Sequence, residues 1–358
     1  MKKQQRVKLV VISLFDGMSG AKEALKHIPH IELLRFYSSE VDKDAIQVAN
    51  NRHPEDIKYR LGSVIDINPI ELLKEIYKAF GKDVKILLIG GSPCQGFSLA
   101  GKMKGSSTSC GIDVTTLKQY LRLKEEGFKF DGQSYLFWEY IRIKEAIKPS
   151  YFFLENVKVT QKWLPMFNEA VQVVSPYDIN SILVSAQSRP RYYWTNIPDI
   201  SKIKEKHIEV KDILQRRLKN KLIKKAVKDK GFYIDKSVPP SVSKNIENQH
   251  HNITHSNKHV YNMACTSGFQ DNVISLKKAP CLRASNNATF FYHKNVYSKF
   301  TPLEWERLQT YPDGYTEGVS KTARYKMLGN SFTVEIIRHF LSHITPDSLP
   351  QKPRKKLF

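Results

Sequence analysis

The stretch Val84-Lys85-Ile86-Leu87-Leu88-Ile89-Gly90-Gly91-Ser92-Pro93-Cys94-Gln95-Gly96 decides how this chain is read. Its first half is apolar except for Lys85, the pattern of a strand buried on both faces of a sheet. Its second half is a loop that sets a cysteine at the carboxyl end of that strand, where open α/β sheets hold their ligands. A lone cysteine is usually inert core filler. One flanked by proline and glycine on a loop is poorly placed for that role.

Outward from this stretch the same rhythm repeats. Residues 8–15 read as a strand, 21–27 as a helix, 33–40 as a strand and 44–52 as a helix. Residues 57–61 read as a short strand, 69–80 as a helix with Pro69 in its first turn, 133–147 as an amphipathic helix and 151–154 as a strand. The alternation predicts an α/β fold, a doubly wound and mostly parallel sheet with helices on both faces. It fades after about residue 197. Residues 199–258 carry a net charge of +8, and Asn, His and Ser dominate residues 245–257, which suggests a separate, smaller, basic module. Helix patterns return over 302–309 and 332–344, and the tail 350–358, with two prolines and four basic residues, is expected to be disordered. The expected partition is a first domain over 1–196, a small domain over 197–300, and 301–349 completing the first domain.

Composition narrows the function. The chain has 358 residues, 41% of them hydrophobic, which excludes global disorder. The apolar runs 9–12 and 86–89 are too short to span a bilayer, and the charged start followed by a short apolar run is not a signal peptide. Four cysteines with no CxxC pair make neither a disulfide framework nor a zinc site, so a reducing interior and no metal are expected. Lys and Arg outnumber Asp and Glu by 57 to 35, a net charge of +22. Such a surface suits a polyanion, nucleic acid before an anionic membrane.

Four further segments carry chemistry. Phe15-Asp16-Gly17-Met18-Ser19-Gly20 follows the first strand, where glycines let a ligand approach the backbone. Glu40 ends the second strand, in position for a carboxylate that accepts the ribose hydroxyls of an adenosine-type ligand. The turn is neither GxGxxG nor a P-loop, which disfavours dinucleotides and nucleoside triphosphates. Glu155-Asn156-Val157 ends an apolar strand on the same sheet edge as Cys94. In Gln187-Ser188-Arg189-Pro190-Arg191, alternate residues of an extended chain share one polar, cationic face suited to phosphate or base contacts. Gly329-Asn330-Ser331 precedes the last helix and is placed to cap it.

Together and in this order, these segments resemble the DNA (cytosine-5)-methyltransferase family. The matching residues are Phe15-x-Gly17-x-Ser19-Gly20, Glu40, Pro93-Cys94-Gln95, Glu155-Asn156-Val157, Gln187-x-Arg189-x-Arg191 and Gly329-Asn330-Ser331. Thr301-Pro302-x-Glu304-x-x-Arg307-Leu308-Gln309-x-x-Pro312 is similar to the segment before the last of these. The resemblance implies methyl transfer from S-adenosylmethionine to carbon 5 of a cytosine flipped out of double-stranded DNA. Cys94 would attack C6, Glu155 would bond N3 and the exocyclic amine, and Arg191 would hold O2. Arg189, with Gln187 beside it, would anchor phosphate or the catalytic loop. The implied cofactor residues are Phe15, Asp16, Gly17, Ser19, Gly20, Glu40, Val41, Ser63, Val64, Pro93, Asn330 and Ser331. The stretch between the two matching parts lies where the family keeps its variable target recognition domain, and DNA would lie in a cleft beside it. The implied protein is a cytoplasmic, nucleoid-associated monomer of the prokaryotic or phage type.

Three departures mark this chain within that resemblance. Ser63 stands where the family commonly has an aspartate on the adenine amine, and Gly96 replaces the usual proline after Pro-Cys-Gln. Residues 109–131 hold roughly twenty extra residues with a helix pattern over 117–126, and loops of that length are commonly functional. The insertion and the basic run 202–230 are both expected to touch DNA. Two other readings share the motifs: a tRNA cytosine-5 methyltransferase, and a DNA-binding regulator on an inactive methyltransferase scaffold. A thiol oxidoreductase using Cys94 and Cys110 lacks the CxxC arrangement.

Overall fold

Strand β1 (Val7–Leu14) lies in the interior of the sheet because seven of its eight side chains are buried, a mostly apolar run that needs cover on both faces. The computed structural model describes residues 6–93, 96–97, 106–215, 223–227, 232–235, 263–264, 273–274, 278–282, 284, 289–293, 296–348 and 350. Cys94, Gln95, most of the run 216–230, the Asn/His/Ser segment and the tail beyond residue 350 lie outside these residues.

Contacts divide the chain into two units. The first comprises residues 1–179, 190–202 and 336–358. Its sheet adds β2 (Ile31–Ser39), β3 (Arg60–Gly62), β4 (Lys85–Gly90), β5 (Tyr151–Val157), β6 (Tyr177–Asn180) and β7 (Pro190–Thr195), in the order β3-β2-β1-β4-β5-β7-β6. The first five strands run parallel, and β7 pairs antiparallel to β5. The strand expected over 57–61 is displaced: Pro54–Tyr59 forms a 3-10 turn with proline in its first turn, and the strand starts at Arg60.

The helices begin where their caps dictate. Asp42 accepts from the Asp44 and Ala45 amides at the start of α2 (Lys43–Arg52). Asn68 does the same for α3 (Pro69–Phe80), with Pro69 at the first helical position. α1 (Gly20–Leu25) follows the glycine turn. The insertion contributes α4 (Leu117–Glu125), capped by Thr116. α5 (Leu136–Ile147) buries Phe137, Trp138, Tyr140, Ile141 and Ile143 beside α6 (Leu164–Val171). Phe97, Phe137, Trp163 and Phe167 interlock in mostly edge-on aromatic contacts there. Gly90 ends β4 because a Cβ would come within 2.8 Å of the Leu14 carbonyl oxygen.

The second unit comprises residues 180–189 and 203–335. It holds a short helix α7 (Val210–Ile213) and a six-stranded sheet of β8 (Ile223–Val227), β9 (Phe232–Asp235), β10 (Met263–Ala264), β11 (Val273–Ile274), β12 (Thr289–His293) and β13 (Val296–Lys299), in the order β11-β10-β12-β13-β9-β8. Helices α8 (Pro302–Leu308), opened by a Thr301/Glu304 capping box, and α9 (Lys321–Asn330) belong to this unit. The sequence assigned 301–349 to the first domain. Only the part from Ile336 onward joins the first unit, where Phe340 of α10 (Val334–Leu341) packs on Phe153, Tyr177 and Tyr193. Residues 302–330 stay with the second unit because the Trp305 and Tyr325 rings pack together there and Tyr325 donates to the Phe300 carbonyl.

Candidate active site

Register brings the motif residues to one sheet edge. Leu14 pairs with Ser39 and with Gly90, and Gly90 with Leu154. The residues that follow these are Phe15, Glu40, Gly91 and Glu155, so four motif segments reach one level on neighbouring strands, spaced at about 4.8 Å per strand, with Glu155 still inside β5.

The first turn is held in an uncommon backbone. Phe15, Gly17 and Ser19 have φ of 55°, 59° and 62°. Left-handed geometry costs a non-glycine residue roughly 1–2 kcal/mol and marks a site where the surroundings over-determine the chain. Here Asp16, only 4% exposed, supplies that constraint. The Ser13 hydroxyl donates to one carboxyl oxygen at 2.6 Å and the Ser19 hydroxyl to the other at 2.7 Å. Burial pushes the Asp16 carboxyl up to about 7, against the two hydroxyls and the nearby Arg60 charge, which pull it down.

Glu40 ties that turn to the end of β2. Its Oε2 accepts the Gly17 N–H at 2.8 Å, and its Oε1 accepts the Val41 and Asp42 N–H groups at 2.7 and 2.9 Å. Val41 beside it is 67% exposed, an apolar side chain that the fold itself does not use. A Cβ on Gly17 would meet nothing within 4 Å, so open space adjoins its backbone. An acidic acceptor, an uncovered apolar side chain and an open glycine backbone fit an adenosine-bearing ligand. At the end of β3, Ser63 caps the 3-10 turn Val64–Asp66, its Oγ accepting from the Ile65 amide at 3.3 Å, and Val64 is buried.

Cys94 lies outside the described residues, and its flanks are anchored. On one side Asn156, buried next to Glu155, donates to the Ser92 carbonyl at 3.2 Å and to its hydroxyl at 3.1 Å. On the other, the Gly96 N–H donates to Ser134 Oγ at 2.8 Å, and Phe97 is fully buried among the aromatic rings. Gly96 therefore has a specific use: proline at that position has no N–H to offer Ser134.

Glu155 and Arg191 come together. Antiparallel pairing sets Arg191 opposite Val157 and Glu155 opposite Tyr193, so the two are diagonal neighbours on one face. Arg191 Nε lies 2.9 Å from Glu155 Oε1, and each side chain is 12% exposed. This is a nearly dry ion pair with an opening to solvent.

Gln187 and Arg189 do not share that face. Both are buried in the second unit, Arg189 at 2% exposure. The Arg189 guanidinium donates to the carbonyls of Leu282, Gly329 and Ser331 at 3.1, 3.1 and 2.9 Å. Gln187 Nε2 donates to the Leu308 carbonyl at 3.0 Å, and its Oε1 accepts the Leu282 amide. The exposed cationic face expected from alternation is absent because only Pro190–Thr195 is a strand, and the side chains of Gln187 and Arg189 before it bind backbone groups internally. Gly329 and Asn330 form the last turn of α9, with Ser331 following, rather than capping the next helix. Asn330 is exposed.

A cavity of about 800 Å³ lies at the other end of β5, lined by Lys144, Phe152, Val173, Tyr177 and Asn196 among others, away from the motif edge. Among the described residues there is no cluster of potential metal ligands, and no helix is long and apolar enough to cross a membrane. The sequence reading missed Glu139 and Arg142. The signal was there: two opposite charges three apart on an otherwise apolar helix face.

Residues 9–345 match the family model for C-5 cytosine-specific DNA methylase. The type II methyltransferase M1.ScrFI of Lactococcus lactis subsp. cremoris is 25% identical over 348 residues, covering 93% of this chain and 77% of that one. The orphan methyltransferase M.SPRI of Bacillus phage SPR is 30% identical over 240 residues, 63% of this chain, and the match spans 46% of the phage protein, about half its length. Among solved structures, the Entamoeba histolytica methyltransferase EhMeth superposes with a TM-score of 0.59 at 15% identity, covering 95% of this chain and 98% of that one.

Proposed function

The chain belongs to the C-5 cytosine-specific DNA methylase family, and we propose that it transfers a methyl group from S-adenosylmethionine to carbon 5 of a flipped-out cytosine in duplex DNA. The observation that carries this reading is the Glu155–Arg191 pair at 2.9 Å, at the end of the strand whose next residue anchors the Pro93-Cys94 loop. Carbon 5 of cytosine is a poor nucleophile until a group adds at C6. Cys94, as thiolate, forms the Sγ–C6 bond. Glu155 takes up a proton from solvent as the base enters, passes it to N3 as that bond forms, and accepts a hydrogen bond from the exocyclic amine. Arg191, held by Glu155, is positioned to turn its guanidinium toward O2 and stabilise charge there.

Glu40, Val41 and the Phe15–Gly20 turn hold the cofactor, whose sulfonium supplies an electrophilic methyl when bound. Glu40 keeps one acceptor site, on Oε2, for a ribose hydroxyl beyond its three backbone bonds. After transfer, a water molecule takes the C5 proton, N3 returns its proton to Glu155, and the Cys94–C6 bond breaks, which restores both the aromatic ring and the thiolate. The net charge of +22 supports sequence-neutral phosphate contacts with a steep salt dependence. The test is tritiated-methyl incorporation from S-adenosylmethionine into random-sequence duplex DNA and, in parallel, bulk tRNA. Label in 5-methylcytosine of the DNA is the expected outcome; label in tRNA alone replaces the reading with an RNA enzyme, and label in neither with an inactive scaffold.

A further inference from the structure

The insertion at 109–131 ends in an arrangement that none of its motifs announced. α4 turns Tyr120 and Leu123 inward and leaves Lys118 and Arg122 exposed. Its Tyr120 hydroxyl and its Lys124 ammonium, the latter at 2.6 Å, both donate to Oε1 of Glu139, a carboxylate with no solvent exposure. Oε2 of Glu139 accepts Arg142 Nε at 2.6 Å. The remaining arms of that guanidinium reach out of the helix: one donates to the Ile67 carbonyl at 3.1 Å, the other to the Val64 carbonyl at 3.2 Å. Those two carbonyls bracket the turn that begins at Ser63.

A buried carboxylate is tolerated only when cations and hydroxyls saturate it. Glu139 is saturated by α4 on one oxygen and by Arg142 on the other. Removing α4 would leave Oε1 without its two donors, and the Arg142 fork, rigid and planar, would no longer be fixed in direction. Burial, and after it the Glu139 carboxylate, hold the Tyr120 phenol protonated and donating. The chain thus connects the insertion to the Val64–Ile67 turn through two side chains, with every link a charge-assisted hydrogen bond or a bond to a charge.

We propose that Arg142 is a positioning residue for the adenine side of the cofactor site, and that α4 is the brace that fixes it through Glu139. The proposal rests on the cofactor reading above. It explains how a turn with serine at position 63 keeps a defined place: the turn is set from behind by the guanidinium fork. It also gives the insertion a role independent of DNA contact.

The experiment is calorimetric titration of S-adenosylhomocysteine, and of its inosine analogue lacking the 6-amino group, into wild type, Arg142→Met, Arg142→Lys and the α4 double variant Tyr120→Phe/Lys124→Met. Binding of a random-sequence duplex and the melting temperature are measured alongside. Expected are a Kd for S-adenosylhomocysteine raised about tenfold in Arg142→Met, comparable to losing one charge-assisted bond, and partial rescue by lysine. The α4 variant shifts in the same direction, and the preference for adenosyl over inosyl falls toward unity in both. Duplex affinity stays within about twofold, since no phosphate contact is removed. Equal losses for both analogues and for DNA would mean that Arg142 supports only the fold, and overturn the proposal. Unchanged adenosyl binding in Arg142→Met would do so as well. A wild-type protein that binds no S-adenosylhomocysteine would overturn the cofactor reading itself, an outcome distinct from both.

Discussion

Replacing Asp16 by asparagine should change how stability depends on pH, in a direction fixed by its surroundings. The carboxyl is buried, receives the hydroxyls of Ser13 and Ser19, and is pushed up from 3.8 to about 7 by burial. A raised carboxyl pKa means that folding favours the neutral acid. The stabilisation is complete below pH 3.8 and is lost progressively as pH rises to about 7. The gap is about three pH units at 1.36 kcal/mol each, so on the order of 4 kcal/mol separates the two ends of the window. Asparagine keeps the shape and does not ionise, with its oxygen accepting from one serine and its amide donating to the other hydroxyl. Urea unfolding of both proteins at half-unit steps from pH 5 to 8 reads the effect. The stability of Asp16→Asn relative to wild type should climb between pH 5 and 7 and flatten above. A difference that stays constant with pH would refute the reasoning, because it would mean that Asp16 titrates alike in the folded and unfolded chain.

Three other substitutions separate roles. Glu40→Gln leaves one strong acceptor where two serve three backbone N–H groups. The Kd for S-adenosylmethionine, measured by titration, should rise at least about tenfold, the equivalent of one bond to a charged acceptor. Glu155→Gln removes the carboxyl group that carries a proton to N3 and pairs with Arg191, and single-turnover methylation should slow by about a thousandfold, with cofactor affinity within about twofold. Arg189→Met removes three bonds to buried carbonyls and should lower the melting temperature by several degrees, reflecting a loss of roughly 3 kcal/mol. If Arg189 instead contacted phosphate, the salt slope of DNA binding would fall by about one, and that result would remove the internal role assigned to it.

Particular residues explain what the sequence made legible. The apolar run from Ile86 to Ile89, and its counterpart at 9–12, fixed the central strands, because burial on both faces leaves no polar alternation to misread. The edge shared by Phe15, Glu40, Gly91 and Glu155 followed, since parallel strands put their carboxyl ends on one side. Other features depended on tertiary partners. Gln187 and Arg189 look like an exposed alternating face, but the carbonyls of Leu282, Leu308, Gly329 and Ser331, distant in sequence, take up their donors. Gly329-Asn330 resembles a cap for the following helix, yet α9, started by Ser320, runs through it. The brace from α4 through Glu139 to Arg142 joins segments up to 78 residues apart, which local pattern does not encode.

Covalent trapping tests the central claim most directly. The protein and S-adenosylmethionine are incubated with random-sequence duplex DNA containing 5-fluorocytosine, beside a Cys94→Ala control. Fluorine blocks loss of the C5 substituent, so a Cys94–C6 bond, once formed and followed by methyl transfer, persists. The expected result is a denaturant-resistant protein–DNA adduct that requires both the cofactor and Cys94, with a methyl group on the trapped base. DNA binding without any such adduct, or an adduct that survives Cys94→Ala, would contradict the assignment of Cys94 as the nucleophile on cytosine.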